Sequence, residues 1–244
     1  MTIRITVLLT ALFVFFSTGR AQMKEKADSL VGIAKQQSDQ KKYKEAVENF
    51  SKALSLDNDH IKAISGKVEA LLLSEKERKA ERYIDRELEK KPQDAILLYN
   101  KGVILNYKNQ YKKAIKAFNR ALRTMQVEAI RPDVYLARGI AHRSIDNYET
   151  AIQDLSIALD LAPDNINALY HRGYAYYKTG DFGKAIKDFE KVTELDDENA
   201  YAFYNLGMAY FKIDNKQNAC RSFQRACQLG NQNACQMILL KCAN

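Results

Sequence analysis

Two consecutive stretches decide the fold: residues 166–199, INALYHRGYAYYKTGDFGKAIKDFEKVTELDDEN, and residues 200–233, AYAFYNLGMAYFKIDNKQNACRSFQRACQLGNQN. Placed in register, each has a glycine, a tyrosine three residues later, an alanine twelve residues later and a phenylalanine four residues after that. Similarity at a fixed spacing of 34 residues is typical of a repeat array, in which one supersecondary unit recurs along the chain. We therefore look for further copies upstream.

The same frame extends towards the N-terminus. Gly139 lies one period before Gly173. Gly102 fits the frame after a three-residue insertion near Val127–Arg131, and two weaker units without this glycine precede it. The predicted array covers residues 22–233, with six units at 27–60, 61–94, 95–131, 132–165, 166–199 and 200–233.

The spacing inside a unit is helical. In residues 109–123 the apolar side chains fall at i, i+3, i+4 and i+7, which places them on one face of an α-helix. Three prolines and ten glycines in 244 residues are too few for a fold with many tight β-turns. Each unit is therefore predicted to be two antiparallel helices, and the fold class all-α.

The unit resembles the tetratricopeptide repeat (TPR), most clearly in residues 200–233, which carry Leu206, Gly207, Tyr210, Ala219 and Phe223 at the family's places. This resemblance implies a right-handed superhelical solenoid of helix pairs, which we expect to end in a capping helix at residues 234–244. It also implies that the first helix of each pair lines a concave groove.

The resemblance further predicts which side chains face that groove. In the C-terminal half most of them are aromatic, and tyrosine is enriched at binding surfaces because it offers a large area with few torsions to freeze. The alternative is that these rings pack within the array or are covered by the chain's own terminus. The predicted groove residues are Tyr99, Arg143, Asn167, Tyr170, Tyr174, Tyr177, Tyr201, Tyr204, Met208 and Phe211.

The function that follows is a protein–protein interaction scaffold that binds a peptide segment of an unidentified partner in this groove. Binding of a glycan or cell-wall fragment by the same rings, and self-association as a structural scaffold, are the competing hypotheses. The sequence contains no nucleotide-binding loop, no nucleophile elbow and no zinc-protease helix motif. We therefore expect no enzymatic activity, no catalytic residue, no cofactor and no metal.

Residues 1–21, MTIRITVLLTALFVFFSTGRA, have the pattern of a secretory signal peptide. Arg4 precedes an apolar run, and Gly19 and Ala21 lie where signal peptidase requires small residues. Cleavage is expected between Ala21 and Gln22, and an uncleaved N-terminal anchor is the alternative. The prediction is an exported protein of the cell envelope, in the periplasm or extracellular, with no nucleic-acid partner.

The positive charge is concentrated in one unit. The chain has 38 basic and 30 acidic residues, a net charge of +8, and residues 95–131 hold eight basic residues and one acidic residue. A solvated helix face is one interpretation of this patch, and a weak contact with an anionic membrane surface or an acidic protein is the other. The patch consists of Lys108, Lys112, Lys113, Lys116, Arg120 and Arg123.

All four cysteines lie near the C-terminus, at spacings of seven, eight and seven. A spacing of seven is two helical turns, and Gly230 and Asn231 interrupt the helix between the two pairs. In an antiparallel hairpin this arrangement pairs Cys227 with Cys235 and Cys220 with Cys242, and export would supply an oxidising compartment. Free buried thiols and a cysteine-only zinc site are the alternatives.

Overall fold

The structure is a computed structural model that describes residues 2–125 and 131–242, with side chains described for residues 19–125 and 132–242. Across these residues there are thirteen α-helices and no β-strand, which confirms the predicted all-α class. The chain divides into two compact units, Met1–Lys108 and Asn109–Asn244. The division falls inside the third predicted repeat, and the predicted insertion near Val127–Arg131 lies, except for the backbone of Arg131, outside the described residues.

The N-terminal unit contains five helices, and each helix packs against the next one along the chain. The first helices of successive pairs also contact one another. Helix α1 begins at Thr2 and therefore includes the predicted leader as well as the first helix of the first repeat. No helix of the described residues has the length and apolarity needed to cross a membrane. The helices are α1 (Thr2–Asp39), α2 (Tyr43–Leu56), α3 (Ile61–Leu73), α4 (Glu77–Lys90) and α5 (Ala95–Tyr107).

The C-terminal unit repeats this arrangement over eight helices, with α7 also touching α9 and α9 also touching α11. This stacking of antiparallel helix pairs is TPR-like, as predicted. The helices are α6 (Tyr111–Thr124), α7 (Arg131–Arg143), α8 (Tyr148–Leu161), α9 (Ile166–Thr179), α10 (Phe182–Leu195), α11 (Ala200–Lys212), α12 (Lys216–Gln228) and α13 (Gln232–Lys241).

Side-chain caps define where the first helix of a pair begins. The side chains of Asn165 and Asn199 each accept a hydrogen bond of 3.0 Å from the backbone N–H three residues ahead, and so does that of Asp94. These caps satisfy N–H groups that have no partner within the helix. Asn231 caps α13 in the same way, so this helix begins two residues before the predicted position 234.

One residue in the left-handed conformation closes each turn between the two helices of a pair. Successive turn residues are separated by 34, 34, 37, 34 and 34 positions, so the period of the sequence is also a period of the backbone. Glycine occupies only one of these places, and asparagine or aspartate, which tolerate positive φ, occupy three. The turn residues are Lys41, Glu75, Asn109, Asp146, Gly180 and Asp214.

The core lies between the helices and is made of small residues opposite large ones. Ala151, Ala185 and Ala219 are fully buried, and so are the rings of Phe189 and Phe223. Gly207 allows α11 to approach α12 closely. A Cβ atom on Gly207 would lie 2.6 Å from the Phe223 ring, a distance that the ring cannot accommodate without moving.

Candidate functional site

Three first helices of the C-terminal unit, α7, α9 and α11, carry most of the predicted groove residues. Along α9, Tyr170, Tyr174 and Tyr177 recur at i, i+4 and i+7 and therefore share one helix face. Leu169 and Gly173, which adjoin these rings on the same helix, are buried. The core beside the rings therefore fixes their position.

Tyr174 lies at the centre of this face. The guanidinium carbon of Arg143, at the end of α7, is 5.0 Å from the centroid of the Tyr174 ring. The ammonium nitrogen of Lys178 is 5.5 Å from the same centroid. Both distances are within the range of cation–π attraction.

Tyr170 links α9 to α11. Its hydroxyl accepts a hydrogen bond of 2.9 Å from the side-chain amide of Asn205, and its ring packs edge-on against Phe189 at 5.9 Å. Burial is the main reason why the pKa of Tyr170 is raised. The side chain is half-buried, so one part of it has a structural role while the rest is open to solvent.

Tyr177 and Tyr204 continue the face. Burial raises the pKa of Tyr177, with smaller contributions from Tyr204 and Tyr174, which places the three phenols within electrostatic reach of one another. The Tyr204 ring is tilted against Phe223 at 6.0 Å. Tyr201 is the most open ring, with 69% of its surface exposed.

These residues form what we call the tyrosine face, defined as Arg143, Tyr170, Tyr174, Tyr177, Tyr201, Tyr204 and Asn205. Tyr170, Tyr174 and Tyr177 pack with one side against the buried cluster that includes Phe189 and Leu206, and none of the three is fully buried. The two interpretations of these rings are therefore compatible. They complete the core with one side and are exposed to solvent on the other.

Three other predicted groove residues have different surroundings. Met208 and Phe211 pack against the C-terminal cluster that also contains Met237 and Ile238 of α13, and Lys241 lies 5.6 Å from the Phe211 ring. The chain's own last helix therefore shares these two side chains. Asn167, in the first turn of α9, is exposed.

Tyr99 belongs to the N-terminal unit, whereas all residues of the tyrosine face belong to the C-terminal unit. It lines a cleft of about 310 Å³ together with Val68, Leu72, Val103 and Tyr107, on helices α3 and α5. This cleft is largely apolar, and only the N-terminal unit contributes to it.

The structure pairs the four cysteines as the spacing predicts. Cys220 lies opposite Cys242 and Cys227 opposite Cys235, with Cα–Cα distances of 5.8 Å and 4.9 Å. Both distances suit a disulfide. The two pairs join α13 to α12.

The basic patch differs from the prediction at one position. The ammonium of Lys108 is paired with Glu81 of α4, within the N-terminal unit, because it lies just beyond the end of α5 and not on α6. The other five cations, Lys112, Lys113, Lys116, Arg120 and Arg123, are exposed on α6. Three of them and Arg138 line a cleft of about 640 Å³ whose apolar lining is Leu122 and Tyr135.

Sequence reasoning missed two ion pairs, each with a buried aspartate, that recur at the repeat period. Arg138 binds Asp154 with two hydrogen bonds of 2.8 Å and 2.6 Å, and Arg172 binds Asp188 with two of 2.8 Å and 2.7 Å. The acids are 3% and 5% exposed. The sequence does contain a signal for these pairs, because the two arginines are 34 residues apart and the two aspartates are also 34 residues apart.

His171 is a further half-buried polar residue of α9. It follows Tyr170 on α9, and its Nδ1 atom is buried and has no hydrogen-bond partner among the described residues. Burial, helped by the positive charge of Arg143, lowers the pKa of His171 to about 4. The imidazole is therefore neutral at pH 7.

Family models match much of the array. A TPR repeat model matches residues 139–180 and 173–214, and a tetratricopeptide repeat model matches residues 201–229. A model described as the TT21 fifth ARM repeats domain matches residues 27–130. The recognised TPR units therefore coincide with the helices that carry the tyrosine face.

One curated relative is similar to this chain in sequence, and two solved structures are similar to it in fold. A UDP-N-acetylglucosamine–peptide N-acetylglucosaminyltransferase of Giardia intestinalis is 32% identical over 126 residues, which are 52% of this chain and 8% of that enzyme. The match thus spans less than a tenth of the enzyme's length.

The structure of PilW, described as a type IV pilus biogenesis factor, aligns with a TM-score of 0.72 at 19% identity, covering 87% of this chain and 98% of that chain. YrrB, described as a TPR protein with an unusual peptide-binding site, aligns with a TM-score of 0.60 at 25% identity, covering 76% and 94%. Repeat spacing, helix pairing and these matches agree on a TPR-like fold, and the tetratricopeptide repeat models cover residues 139–229.

Proposed function

We propose that this protein is a non-enzymatic interaction scaffold whose tyrosine face binds a peptide segment of a partner protein. The observation that carries the proposal is that four rings of the face are half-buried and pack on one side against the core: Tyr170, Tyr174, Tyr177 and Tyr204. A preorganised aromatic surface loses little conformational freedom when a ligand binds, so more of the contact energy contributes to affinity.

The comparisons support the class of function. TPR domains generally bind protein or peptide partners, and YrrB, 25% identical to this chain, is described as having a peptide-binding site. On the tyrosine face, the ring of Tyr201 offers apolar contact area, and the amide of Asn205 offers polar groups that would set the register of a bound backbone.

The test is affinity capture from a cell-envelope extract with the wild-type chain and with a variant carrying Tyr170→Ala, Tyr174→Ala and Tyr204→Ala. We expect the wild type to retain a partner polypeptide and the variant to lose it, while both give the same helical circular dichroism spectrum. Lys187→Ala on the exposed side of α10 is the matched control and should retain the partner. Equal capture by all three proteins would contradict the proposal.

A glycan is the competing ligand, because an exposed ring such as Tyr201 can stack on a sugar face. Thermal-shift measurements with cell-wall fragments and polysaccharides distinguish the two ligands. A rise in melting temperature with these compounds that disappears in Tyr201→Ala favours the glycan, and no rise favours the peptide.

We also propose that the protein is exported after cleavage between Ala21 and Gln22. The support is the charge and apolar pattern of residues 1–21. N-terminal sequencing of the protein recovered from the envelope fraction should begin at Gln22. An N-terminus at Met1 would favour the uncleaved anchor.

Weak contact with an anionic membrane surface is a second proposal, supported by the five exposed cations of α6. Each cation close to such a surface contributes about 1 kcal/mol, and the contribution falls with salt. Sedimentation with vesicles containing phosphatidylglycerol should retain the wild type at low salt and release the variant Lys112→Gln, Lys113→Gln, Lys116→Gln. Equal sedimentation would contradict this proposal.

A further inference from the structure

One basic position recurs in four successive repeats, eight residues before the left-handed turn residue of each. Three of its four cations have acidic partners at 2.6 to 3.0 Å. The ammonium of the fourth, Lys67 on α3, forms no ion pair and no hydrogen bond among the described residues. Lys67 is therefore the exception at this position. The four residues are Lys67, Lys101, Arg138 and Arg172.

The acid that pairs with each arginine is absent from the repeat of Lys67. Asp154 and Asp188 lie eight residues after their turn residues, and the same place in this repeat holds Tyr83. The ammonium nitrogen of Lys67 is 4.2 Å from the centroid of the Tyr83 ring, within the range of cation–π attraction. Burial raises the pKa of Tyr83 to about 12, so this phenol is neutral at pH 7. Tyr83 therefore contacts the cation without neutralising its charge.

The preceding second helix does not supply an acid either. In the next repeat, Lys101 binds Glu81 and Asp85 of α4. The residues one period before these two acids are Val47 and Ser51 of α2. The hydroxyl of Ser51 donates a hydrogen bond of 2.6 Å to the carbonyl oxygen of Val47. In the three following repeats the cation donates a hydrogen bond to the residue at the place of Ser51, so an acid at this place would be within reach.

A cleft of about 360 Å³ opens beside Lys67, among α2, α3 and α4 of the N-terminal unit. Its lining includes Val47, Leu71 and Tyr83, so apolar surface surrounds the ammonium group. The Lys67 side chain is half-buried, and its nitrogen is not among the enclosed polar atoms, so a ligand in the cleft can reach it. Because residues at the places of the missing acids line this cleft, it has room for an acid from outside.

Three further cations line the same cleft from α4. Lys79, Arg82 and Arg86 recur at i, i+3 and i+7, are exposed and form no ion pair with the acids that the structure describes. Burial lowers the pKa of Lys67, Glu87 opposes this shift and Arg86 adds to it. The carboxylate of Glu87 is already 2.9 Å from the ammonium of a lysine on the same helix. The positive charge of the cleft is therefore left largely uncompensated.

We propose that this cleft binds an acidic side chain of a partner polypeptide, whose carboxylate takes the place that aspartate has beside the equivalent arginines. We call the cleft lined by Lys67, Lys79, Arg82 and Arg86 the basic cleft. Its apolar lining favours an aspartate or glutamate that adjoins an apolar residue over a free phosphate, which has no apolar part. The basic cleft is a second interaction surface, built largely from second helices, and it does not depend on the tyrosine face.

The experiment is selection of a random peptide display library on the purified full chain and on three variants. Lys67→Gln removes the cation, and Ser51→Asp supplies an internal acid at the place from which Asp85 binds Lys101. Ser55→Asp adds the same charge at an exposed position one turn further along α2 and is the matched control. We expect the wild type and Ser55→Asp to enrich peptides with an acid at one fixed distance from an apolar residue. Lys67→Gln and Ser51→Asp should both lose this class of peptide.

The outcomes separate the basic cleft from the tyrosine face. The variant with Tyr170→Ala, Tyr174→Ala and Tyr204→Ala should keep the acidic class. Loss of the class in this variant and its retention in Lys67→Gln would assign it to the tyrosine face and overturn the inference, while supporting the proposed function. Absence of the class from the wild type also overturns the inference. So does a cleft that takes only a free anion, seen as stabilisation of the wild type but not of Lys67→Gln by inorganic phosphate.

A selected peptide then measures the effect directly. Replacing its acid by the matching amide should weaken binding to the wild type roughly 10-fold, as expected for a charge-assisted hydrogen bond, and should leave binding to Lys67→Gln nearly unchanged. Added salt should weaken binding of the acidic peptide more than that of the amide. Circular dichroism checks that all variants keep the helical fold. Equal losses with both proteins would show that the acid binds elsewhere and would overturn the inference.

Discussion

At the scale of single residues, His171 makes the stability of the C-terminal unit depend on pH. Its pKa is about 4 in the folded chain, whereas an exposed histidine has a pKa near 6.5. Below pH 6.5 the unfolded chain binds a proton that the folded chain refuses, so stability is lost as the pH falls towards 4. Above pH 6.5 both states are neutral and the residue contributes no pH dependence.

We therefore expect the wild type to lose about 2 to 3 kcal/mol more than His171→Gln when the pH is lowered from 7 to 4.5. Urea unfolding of both proteins at the two pH values provides the measurement. The neighbouring His142, whose pKa is also lowered by burial, is common to both proteins and cancels in the comparison. Parallel losses of stability in the two proteins would show that His171 is protonated in the folded chain.

Glycine at position 207 is required by packing. Gly207→Ala places a methyl group 2.6 Å from the Phe223 ring, and we expect a loss of about 1 to 3 kcal/mol because the ring must move. Gly183→Ala, in the first turn of α10, adds the same methyl group where no atom lies within 4 Å. This control should be as stable as the wild type or slightly more stable. Thermal unfolding compares them, and equal stability of both variants would contradict the packing argument.

At the scale of helices, the buried pair Arg172–Asp188 connects α9 to α10, and the next repeat shows how it can be replaced. One period later the chain has Leu206 and Ser222 at these positions. Arg172→Leu alone should destabilise by about 3 kcal/mol because Asp188 is left buried without its partner. The double variant with Asp188→Ser should recover most of the loss. Chemical denaturation measures both, and additive losses would indicate that the two side chains are not coupled.

The terminal helix α13 is predicted to depend on its two cysteine pairs. The pairs close separations of 22 and 8 residues, and each disulfide is expected to contribute about 2 to 3.5 kcal/mol on the loop-entropy estimate. Cys220→Ser with Cys242→Ser should lower stability and speed hydrogen exchange in α13 more than in α9. Mass spectrometry of the unreduced wild type should find two linked peptide pairs. Four free thiols would contradict the prediction.

The elements that the sequence predicted well are those that apolar periodicity defines. The first helices begin at Ile61, Ala95, Ile166 and Ala200, each the first residue of a predicted unit. Periodicity does not specify which polar side chains meet across two helices, so the arginine–aspartate pairs were missed. It also does not show that Lys108 follows the end of α5 and pairs with α4.

At the scale of the whole chain, the sequence predicted one continuous array, and the structure has two compact units. The boundary follows Lys108, inside a repeat whose spacing to the next is three residues longer than the others. Repeat spacing shows which residues are equivalent, and it does not show where the chain divides into compact units. Tyr99 was therefore grouped with rings that belong to another unit.

For a related reason, the repeat pattern predicted the surroundings of only some of the groove residues. Position within the repeat identifies the helix face, and it placed Tyr170, Tyr174 and Tyr177 together. It cannot show that α13 shares Met208 and Phe211, because that helix follows the last repeat and has no equivalent within the period.

The most direct test of the central claim, that the tyrosine face contacts a partner polypeptide, is site-specific photo-crosslinking in intact cells. A photoreactive phenylalanine analogue replaces Tyr201, the most exposed ring of the face, or Lys187 on the exposed side of α10 as a control. We predict that the probe at Tyr201 forms a covalent adduct with a second polypeptide and that the probe at Lys187 does not. The absence of an adduct from Tyr201, or the same adduct from both positions, would contradict the account.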